Sequence, residues 1–422
     1  MPSECDRDRS NLQGADTQAS GLKELIGRQR AGWSLEQPFY TSPSIYEIER
    51  RGWLANQWFL VAHRSEVPEA GCYILRELLG ESLILARDGE GTLRGFYNVC
   101  RHRGSRICER DGRSNSLTCP YHAWSYRLDG SLRAASALPE EIDVSALSLR
   151  SIHVREIGGL VIGSLSGDPQ VVAALSNAFE PGLRFHGVPN ARIAARRSYP
   201  TQGNWKLVLE NFIECYHCFP AHPEYCRVMK HVDAVAREAS NAAIAWEESA
   251  AAWLAKDASP DSPLTMNPTA NQFAICSAAR APIGGGRLTQ SEDGRAVAPL
   301  MGELKSFDGG VSTFRCEPFI FLAALNDHAV MFQFSPLAAE QTRVDVSWLV
   351  DSSADDSKVD VARMMWLWDV TTTQDKALIE RNAAGIRSLA YVPGPYSKLE
   401  SLPARFVARY LSELSSGNGE PS

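Results

Sequence analysis

Between positions 100 and 124 the chain reads CRHRGSRICERDGRSNSLTCPYHAW, and this segment constrains the fold more than any other. Cys100 and His102 stand two positions apart, Cys119 and His122 three apart, and sixteen residues separate the pairs. Each pair sits at a loop tip between short runs suited to strands. Two hairpin loops can therefore each aim one thiolate and one imidazole at a single inorganic centre. The surrounding chain must then be a small β domain that holds two loop tips side by side.

A cluster of two irons and two sulfides usually takes four thiolates. Replacing two of them with imidazoles on one iron removes anionic charge and raises the potential, which gives a Rieske centre. The pattern thus predicts Cys100 and Cys119 on one iron and His102 and His122 on the other. Two cysteines and two histidines can also hold a structural zinc ion. Zinc modules, however, generally pair like with like, as Cys-x-x-Cys followed by two histidines.

The flanking sequence supports a β domain. From 59 to 165, runs rich in β-branched and aromatic residues (FLVAH, YILREL, SLILARD, LRGFYNV, LVIGSL) alternate with Asp88-Gly89, Asp111-Gly112 and Asp129-Gly130. Strands punctuated by Asp-Gly suggest antiparallel hairpins. We therefore expect a loose tail at 1–20 and a helical segment at 21–58 packed on the later domain. The cluster domain follows at 59–165 and a larger catalytic domain at 166–422. In that last part, 203–232 begins as helix, 242–253 is rich in Ala and Trp, and 284–310 reads as a mobile, glycine-rich surface loop. Strands are expected at 317–325, 328–336 and 342–350, and helices at 357–390 and 403–414. The fold class is α+β: a small antiparallel β domain, then an antiparallel sheet with helices packed on it, gathered on one side.

A second ligand set lies in NWKLVLENFIECYHCFPAHPEY, which carries His217 and His222. Two histidines and one carboxylate on one face of ferrous iron leave positions open for dioxygen. Residues five apart on a regular helix differ in direction by roughly 140°, so these two cannot share an ion from an unbroken helix. Pro220 lies between them and breaks or kinks it. This puts His217 near a helix end and His222 just past the kink. The carboxylate is expected from MMWLWDVTTTQDKALIERNAAGI, where Asp369, Asp375 and Glu380 are candidates. Core-like Met365, Leu367 and Trp368 before it and Leu378 and Ile379 after it favour Asp375, but periodicity leaves the other two open.

Composition narrows the partners. A net charge of −7 argues against a nucleic-acid partner, because phosphate binding usually needs a basic surface. No uninterrupted apolar run of about 18 residues is present, so no membrane span is expected. The start MPSECDRDRSNLQGADTQAS lacks the basic opening and apolar run of a secretory signal. The ten cysteines show no disulfide-framework spacing. A reducing, cytoplasmic setting fits them.

The motifs C-R-H-R-G, C-P-Y-H and E-N-F-x-E-C-Y-H-x-x-x-x-H together resemble the α subunit of Rieske ring-hydroxylating oxygenases, from about residue 27 to 412. Within that family RAGWSLEQPFYTSPSIYEIE, QDKALIERNAAGI and YVPGPYS are most similar to the enzymes that act on quaternary ammonium compounds, such as glycine betaine and stachydrine demethylases. The resemblance implies Asp375 as the carboxylate ligand of a mononuclear Fe(II) beside His217 and His222. It implies Glu214 as the carboxylate that links a cluster histidine of one subunit to an iron-ligating histidine of its neighbour. Many relatives have Asp there, so the longer Glu214 must still reach. Asn211 matches a polar residue close to the iron. A homotrimer is implied, with a ferredoxin or reductase passing electrons from NAD(P)H to the cluster. The implied reaction uses dioxygen and two electrons to hydroxylate and N-demethylate a small betaine-like substrate. The alternative is a mono- or dioxygenase of an aromatic or other carboxylic acid. A quaternary ammonium is held by ring faces, for which Trp246, Trp253, Phe273, Phe319, Phe321 and Phe332 are candidates, with the 284–287 loop as a cover. A small electron carrier is the competing class, and it needs neither the second histidine pair nor the extra 250 or so residues.

Overall fold

The computed structural model describes residues 21–167, 169–231, 241–264 and 275–416. The expected tail at 1–20 lies outside the described residues.

The N-terminal segment is built around helix α1 (Pro43–Arg51). Ser42 caps it by accepting from the Ile45 N–H, Pro43 opens it, and Arg50 and Arg51 close it against the negative end of the helix dipole. Its buried face ends in Glu49 and is followed by Trp53, which stacks on Trp205 at 5.1 Å. Glu49 takes hydrogen bonds from Trp205 Nε1 (2.9 Å) and Lys206 Nζ (2.6 Å), all fully buried. The segment is thereby tied to a helix more than 150 residues further on.

Ten strands follow. β1 (Phe59–His63), β9 (His153–Ile157) and β10 (Leu160–Ser164) make a three-stranded sheet in the order β1-β10-β9. β2 (Cys72–Leu78), β3 (Glu81–Arg87), β4 (Leu93–Tyr97) and β5 (Gly112–Arg113) pair as β4-β3-β2-β5. β6 (Leu117–Thr118), β7 (Ser125–Tyr126) and β8 (Leu132–Ala134) form the last sheet. All pairs are antiparallel. The turn chemistry is visible in the side chains. Asp88 accepts from the N–H groups of Glu90 and Thr92, and Asp129 from that of Ser131. Gly158 and Gly159 both have positive φ (54° and 89°), as the two-residue turn between β9 and β10 requires.

The larger half is a six-stranded antiparallel sheet. Its strands are β11 (Ala191–Thr201), β12 (Cys276–Pro282), β13 (Gly310–Cys316), β14 (Ile320–Ala324), β15 (Ala329–Ala338) and β16 (Gln341–Asp351), ordered β11-β16-β15-β14-β13-β12. Alternation separates its two faces. Ala329 and Met331 pack with Leu175, Phe179 and Leu183 of helix α2 (Pro169–Phe185). Val330, Phe332 and Phe334 face the other way, toward helix α3 (Trp205–Phe212), the N-terminal segment and the C-terminal helix Ser401–Ser415. Helices thus cover both faces, not one side as expected: β14 and β15 carry apolar residues on both faces, and each face needs a cover.

Two further expectations are corrected. The stretch 284–310 is not a mere surface loop, because Thr289, Gln290, Ser291, Val297 and Met301 are buried in it. Buried Asp327 holds it by accepting from Thr289 Oγ1 (2.7 Å) and Val297 N–H (2.9 Å). Cys276 and Cys316, forty apart in sequence, form a disulfide, because β12 and β13 place them directly opposite each other. Sequence spacing alone gave no sign of that pair. The strands at 191–201, 276–282 and 310–316 were not foreseen either. β11 carries Arg192, Arg196 and Arg197, and β12 is mostly small residues around Arg280, so neither shows the usual strand composition.

Candidate metal centres

The two loops at the tip of the small β half share one backbone frame. In the first, the Cys100 N–H bonds Ser105 O (2.8 Å) and the Gly104 N–H bonds Cys100 O (3.0 Å). In the second, the Cys119 N–H bonds Trp124 O (2.8 Å) and the Ala123 N–H bonds Cys119 O (3.0 Å). Gly104 and Ala123 therefore occupy equivalent positions, and both have positive φ (77° and 59°). Glycine takes this conformation freely. Alanine does so at a steric cost.

This frame buries the sulfurs and presents the imidazoles. Cys100 and Cys119 are buried, whereas His102 and His122 are exposed with ring centroids 4.7 Å apart. His102 stacks on Trp124 at 4.6 Å and Tyr121 lies 3.8 Å from the His122 ring. The Tyr126 hydroxyl is 3.3 Å from Cys100 Sγ. Burial alone would raise the Cys119 thiol. Backbone N–H groups of Tyr121 and His122, with Cys100 and Ser105, hold it below its ordinary value. Desolvation, His102 and Arg103 hold His122 below its ordinary value, which favours the neutral ring a metal needs. Two sulfurs at depth and two imidazole rings at the tip fit a cluster with one cysteine-held and one histidine-held iron.

The second set is assembled across the large half. The chain from 213 to 230 is too broken to be one helix: α4 (Cys218–Ala221) and α5 (Pro223–Val228) are short, and His222 between them has φ −123° and ψ 72°. Pro223 opens α5, and the break lets residues five apart face each other, with ring centroids at 5.1 Å. Helix α6 (Asn241–Lys256) follows, and then α7 (Val361–Ile386), which supplies Asp375. Asp375 Oδ1 lies 2.9 Å from His222 Nε2 and 3.3 Å from His217 Nε2. The other two candidates are engaged elsewhere. Asp369 accepts from Tyr199 Oη (2.6 Å) and Arg197 (2.7 Å), and Glu380 from the Gln202 N–H (3.0 Å) and Lys376.

Neighbouring side chains orient the rings. Glu214 Oε1 bonds His217 Nδ1, and its other oxygen takes the N–H groups of Tyr216 and His217. Asn211 Nδ2 is 3.3 Å from His217 Nε2. His222 Nδ1 is 2.8 Å from Gln374 Oε1, and Gln374 in turn donates to Glu224 (2.8 Å). Gln374 and Glu224 were not foreseen, and Gln374's place beside Asp375 was the available signal. Such partners fix tautomer and ring direction in metal sites. Burial lowers the affinity of both imidazoles for protons, but Asp375 and Glu214 outweigh it, raising His217 to about 10. His222 is raised in the same way by Asp375, and burial of Asp375 is outweighed by both histidines, which hold it low. A divalent ion competes for the groups that hold those protons.

Cys218 also faces this set, with His217, Cys218 and His222 donor atoms all within 4.8 Å of one another. Its sulfur is 3.9 Å from His217 Nε2, farther than the carboxylate. A hydrogen bond with Cys215, reinforced by burial, holds the Cys218 thiol far above its ordinary value, and a protonated thiol is a poor ligand. Asp375 is the better third donor.

A run of rings borders these donors. Tyr225 lies 6.5 Å from His222 and 5.6 Å from Trp368, Trp368 lies 4.9 Å from Phe332, and His231 links Tyr225 (6.5 Å) to Trp246 (5.9 Å). Of the expected ring set, Trp246 and Phe332 belong here. Trp253 donates to Asp308 O inside the core, Phe319 stacks on Phe59 at 4.3 Å, and Phe321 packs on Phe212 and Phe334. Phe273 lies outside the described residues. Tyr225 and Trp368 were missed, because only the fold brings α5 and α7 together.

With both donor sets carried by a small β half and a sheet-and-helix half, the chain belongs to the Rieske non-haem iron oxygenases, which are oxidoreductases. The family described as Rieske [2Fe-2S] domain matches residues 57–152, and the ring hydroxylating alpha subunit (catalytic domain) matches residues 189–416. Its cofactors are accordingly a 2Fe–2S cluster and a mononuclear iron, supplied with electrons by a reductase.

More particularly, the chain is 35% identical over 389 residues to the glycine betaine monooxygenase oxygenase subunit of Chromohalobacter salexigens, covering 88% of this chain and 83% of that one. It is 37% identical over 212 residues to the carnitine monooxygenase oxygenase subunit of Escherichia coli (strain K12), covering 48% and 56%. Among solved structures, a quaternary ammonium Rieske monooxygenase in complex with L-carnitine has the same fold, with a TM-score of 0.65 at 22% identity over 92% of this chain and 98% of that one. Among the described residues no helix is long and apolar enough to cross a membrane.

Proposed function

We propose that this chain is the oxygenase component that hydroxylates an N-methyl group of a small quaternary ammonium acid of the betaine type. The hydroxylated methyl is a carbinolamine, which releases formaldehyde and leaves the demethylated amine. The observation that carries this reading is the wall of rings formed by Tyr225, Trp368 and Phe332 beside His217, His222 and Asp375. Ring faces attract a quaternary ammonium by their quadrupole, and a relative similar over most of its length is a glycine betaine monooxygenase subunit.

In this reading Cys100, Cys119, His102 and His122 hold the cluster, and His217, His222 and Asp375 hold the mononuclear iron. The cluster stores single electrons, and ferrous iron supplies the site for dioxygen. The protein's own part is to place groups. Glu214 fixes His217 through Nδ1, Gln374 fixes His222, and Asn211 stands at His217 Nε2.

The working assembly in this proposal is a head-to-tail homotrimer in the cytoplasm, in which Glu214 receives the His122 edge of a neighbouring subunit. Each end of that contact exposes apolar surface. Val99 (42% exposed) and Tyr121 (55%) flank the cluster loops, and Tyr216 (48%) and Phe219 (45%) flank Glu214. Different patches that meet head to tail close into rings. Sedimentation should give the mass of three copies, and a monomer carrying both metals would reject the route between subunits.

The deciding experiment couples purified protein to a surrogate reductase and NAD(P)H, and follows oxygen uptake and formaldehyde over betaines, carnitine and simple aromatic acids. Formaldehyde released in step with oxygen from a quaternary ammonium acid is the expected result. Hydroxylation of an aromatic acid with no formaldehyde from any betaine would replace this reading with the alternative substrate class.

A further inference from the structure

Resting on that reading, we propose that Thr371 is a specificity residue whose hydroxyl binds the carboxylate end of the substrate. Thr371 is buried, and its Oγ1 has no hydrogen-bond partner among the described residues. That is unusual for its place. A threonine inside a helix commonly donates to the carbonyl four residues back, as Thr373 does to Asp369 O at 2.7 Å on this same helix. The Thr371 hydroxyl leaves that bond unmade.

Its direction follows from helix geometry. At 3.6 residues per turn, Thr371 lies about 40° from Asp375 around the axis and one turn before it, while Trp368 lies about 20° to the other side. Asp375 reaches both histidines, and Trp368 meets Tyr225 and Phe332. Three residues after Trp368 and four before Asp375, Thr371 shares one helix face with both and borders the same space. A betaine carries its cation and its carboxylate only a few bonds apart. With the cation against the Trp368 and Tyr225 rings, the carboxylate needs a donor close to them. Thr371 offers an uncommitted one.

The test compares Thr371→Val, which keeps the shape and removes the hydroxyl, with Thr371→Ser, which restores it. Glycine betaine is set against choline, which has the same trimethylammonium head and no carboxylate. Thr371→Val should raise KM and calorimetric Kd for glycine betaine by about tenfold or more, as loss of a hydrogen bond to a charged group does. It should leave choline binding, iron content and thermal stability near wild type. Thr371→Ser should bind glycine betaine nearly as the wild type does. An unchanged Kd in Thr371→Val, or equal losses for glycine betaine and choline, would overturn the proposal. Wild-type protein that binds glycine betaine without oxidising it sinks the functional reading alone, since Kd still tests Thr371. Wild-type protein that binds no betaine overturns both.

Discussion

Glu214 is the side chain on which the proposed electron route turns. It already holds His217 Nδ1 and two backbone N–H groups, so its carboxylate is fixed before any neighbour arrives. Glu214→Gln should keep both metals and the cluster's spectrum while losing nearly all turnover. Full turnover with both sites loaded would show that electrons cross elsewhere. A second residue sets a pH dependence. Burial raises Glu210 to about 7, although Tyr396 Oη (2.8 Å), Tyr40 Oη (3.2 Å) and buried Lys206 favour its charged form. Glu400 adds to the rise. A carboxyl whose folded value lies above its unfolded one stabilises the fold fully at low pH, and that stability is lost as pH rises through the folded value. Wild-type stability should therefore fall between about pH 4.5 and 7, by about 3 kcal/mol at about 1.4 kcal/mol per pKa unit. Glu210→Gln should flatten that slope in denaturation series run from pH 5 to 8. An unchanged slope would assign the dependence to another group. At this scale the candidate cluster ligands could be read from the sequence, because each Cys/His pair is local and its residue types are chemically demanding. Asp375 was not decided by residues alone. Asp369 and Glu380 sit on the same helix, and only their partners on β11 and at Gln202 remove them.

Between elements, the firmest link is the N-terminal segment on α3. Trp53, Trp205, Phe406 and Tyr410 pack as one ring cluster over the Glu49–Lys206 pair, with centroids 5.1–6.4 Å apart around Trp53. Trp53→Ala should cost about 3–5 kcal/mol, as large-to-small changes in a packed core do, read as a lower denaturant midpoint. A loss below about 1 kcal/mol would mean that the segment packs loosely. Of the long helices, α7 was legible from its apolar spacing and spans 361–386 inside the expected 357–390, whereas α2 at 169–185, with Pro181 inside it, was not foreseen. A break between His217 and His222 was expected at Pro220, but Pro220 lies inside α4 and the chain breaks just after it, at His222, where Pro223 opens α5. β11 and β12 were not legible, because their place is set by pairing partners 141–160 residues apart in the case of β11, and 34 in the case of Ala279 and Thr313 of β12 and β13. The buried course of 284–310 was hidden for a similar reason. Its anchor is Asp327, on a turn that follows it in the chain.

The whole molecule joins two donor sets of different chemistry on separate scaffolds: soft sulfur with imidazole on paired hairpin loops, and imidazole with carboxylate where α7 crosses the broken segment at 213–230. Softness of ligand and number of open positions assign them different tasks, electron storage for the first and oxygen chemistry for the second. The most direct measurement is iron and acid-labile sulfide per chain, with the electron paramagnetic resonance of the reduced protein, in the wild type and in His217→Ala. About three irons and two sulfides are expected in the wild type. His217→Ala should fall to about two irons while the cluster resonance stays unchanged. Zinc in place of iron, or a resonance that disappears together with His217, would contradict two independent centres.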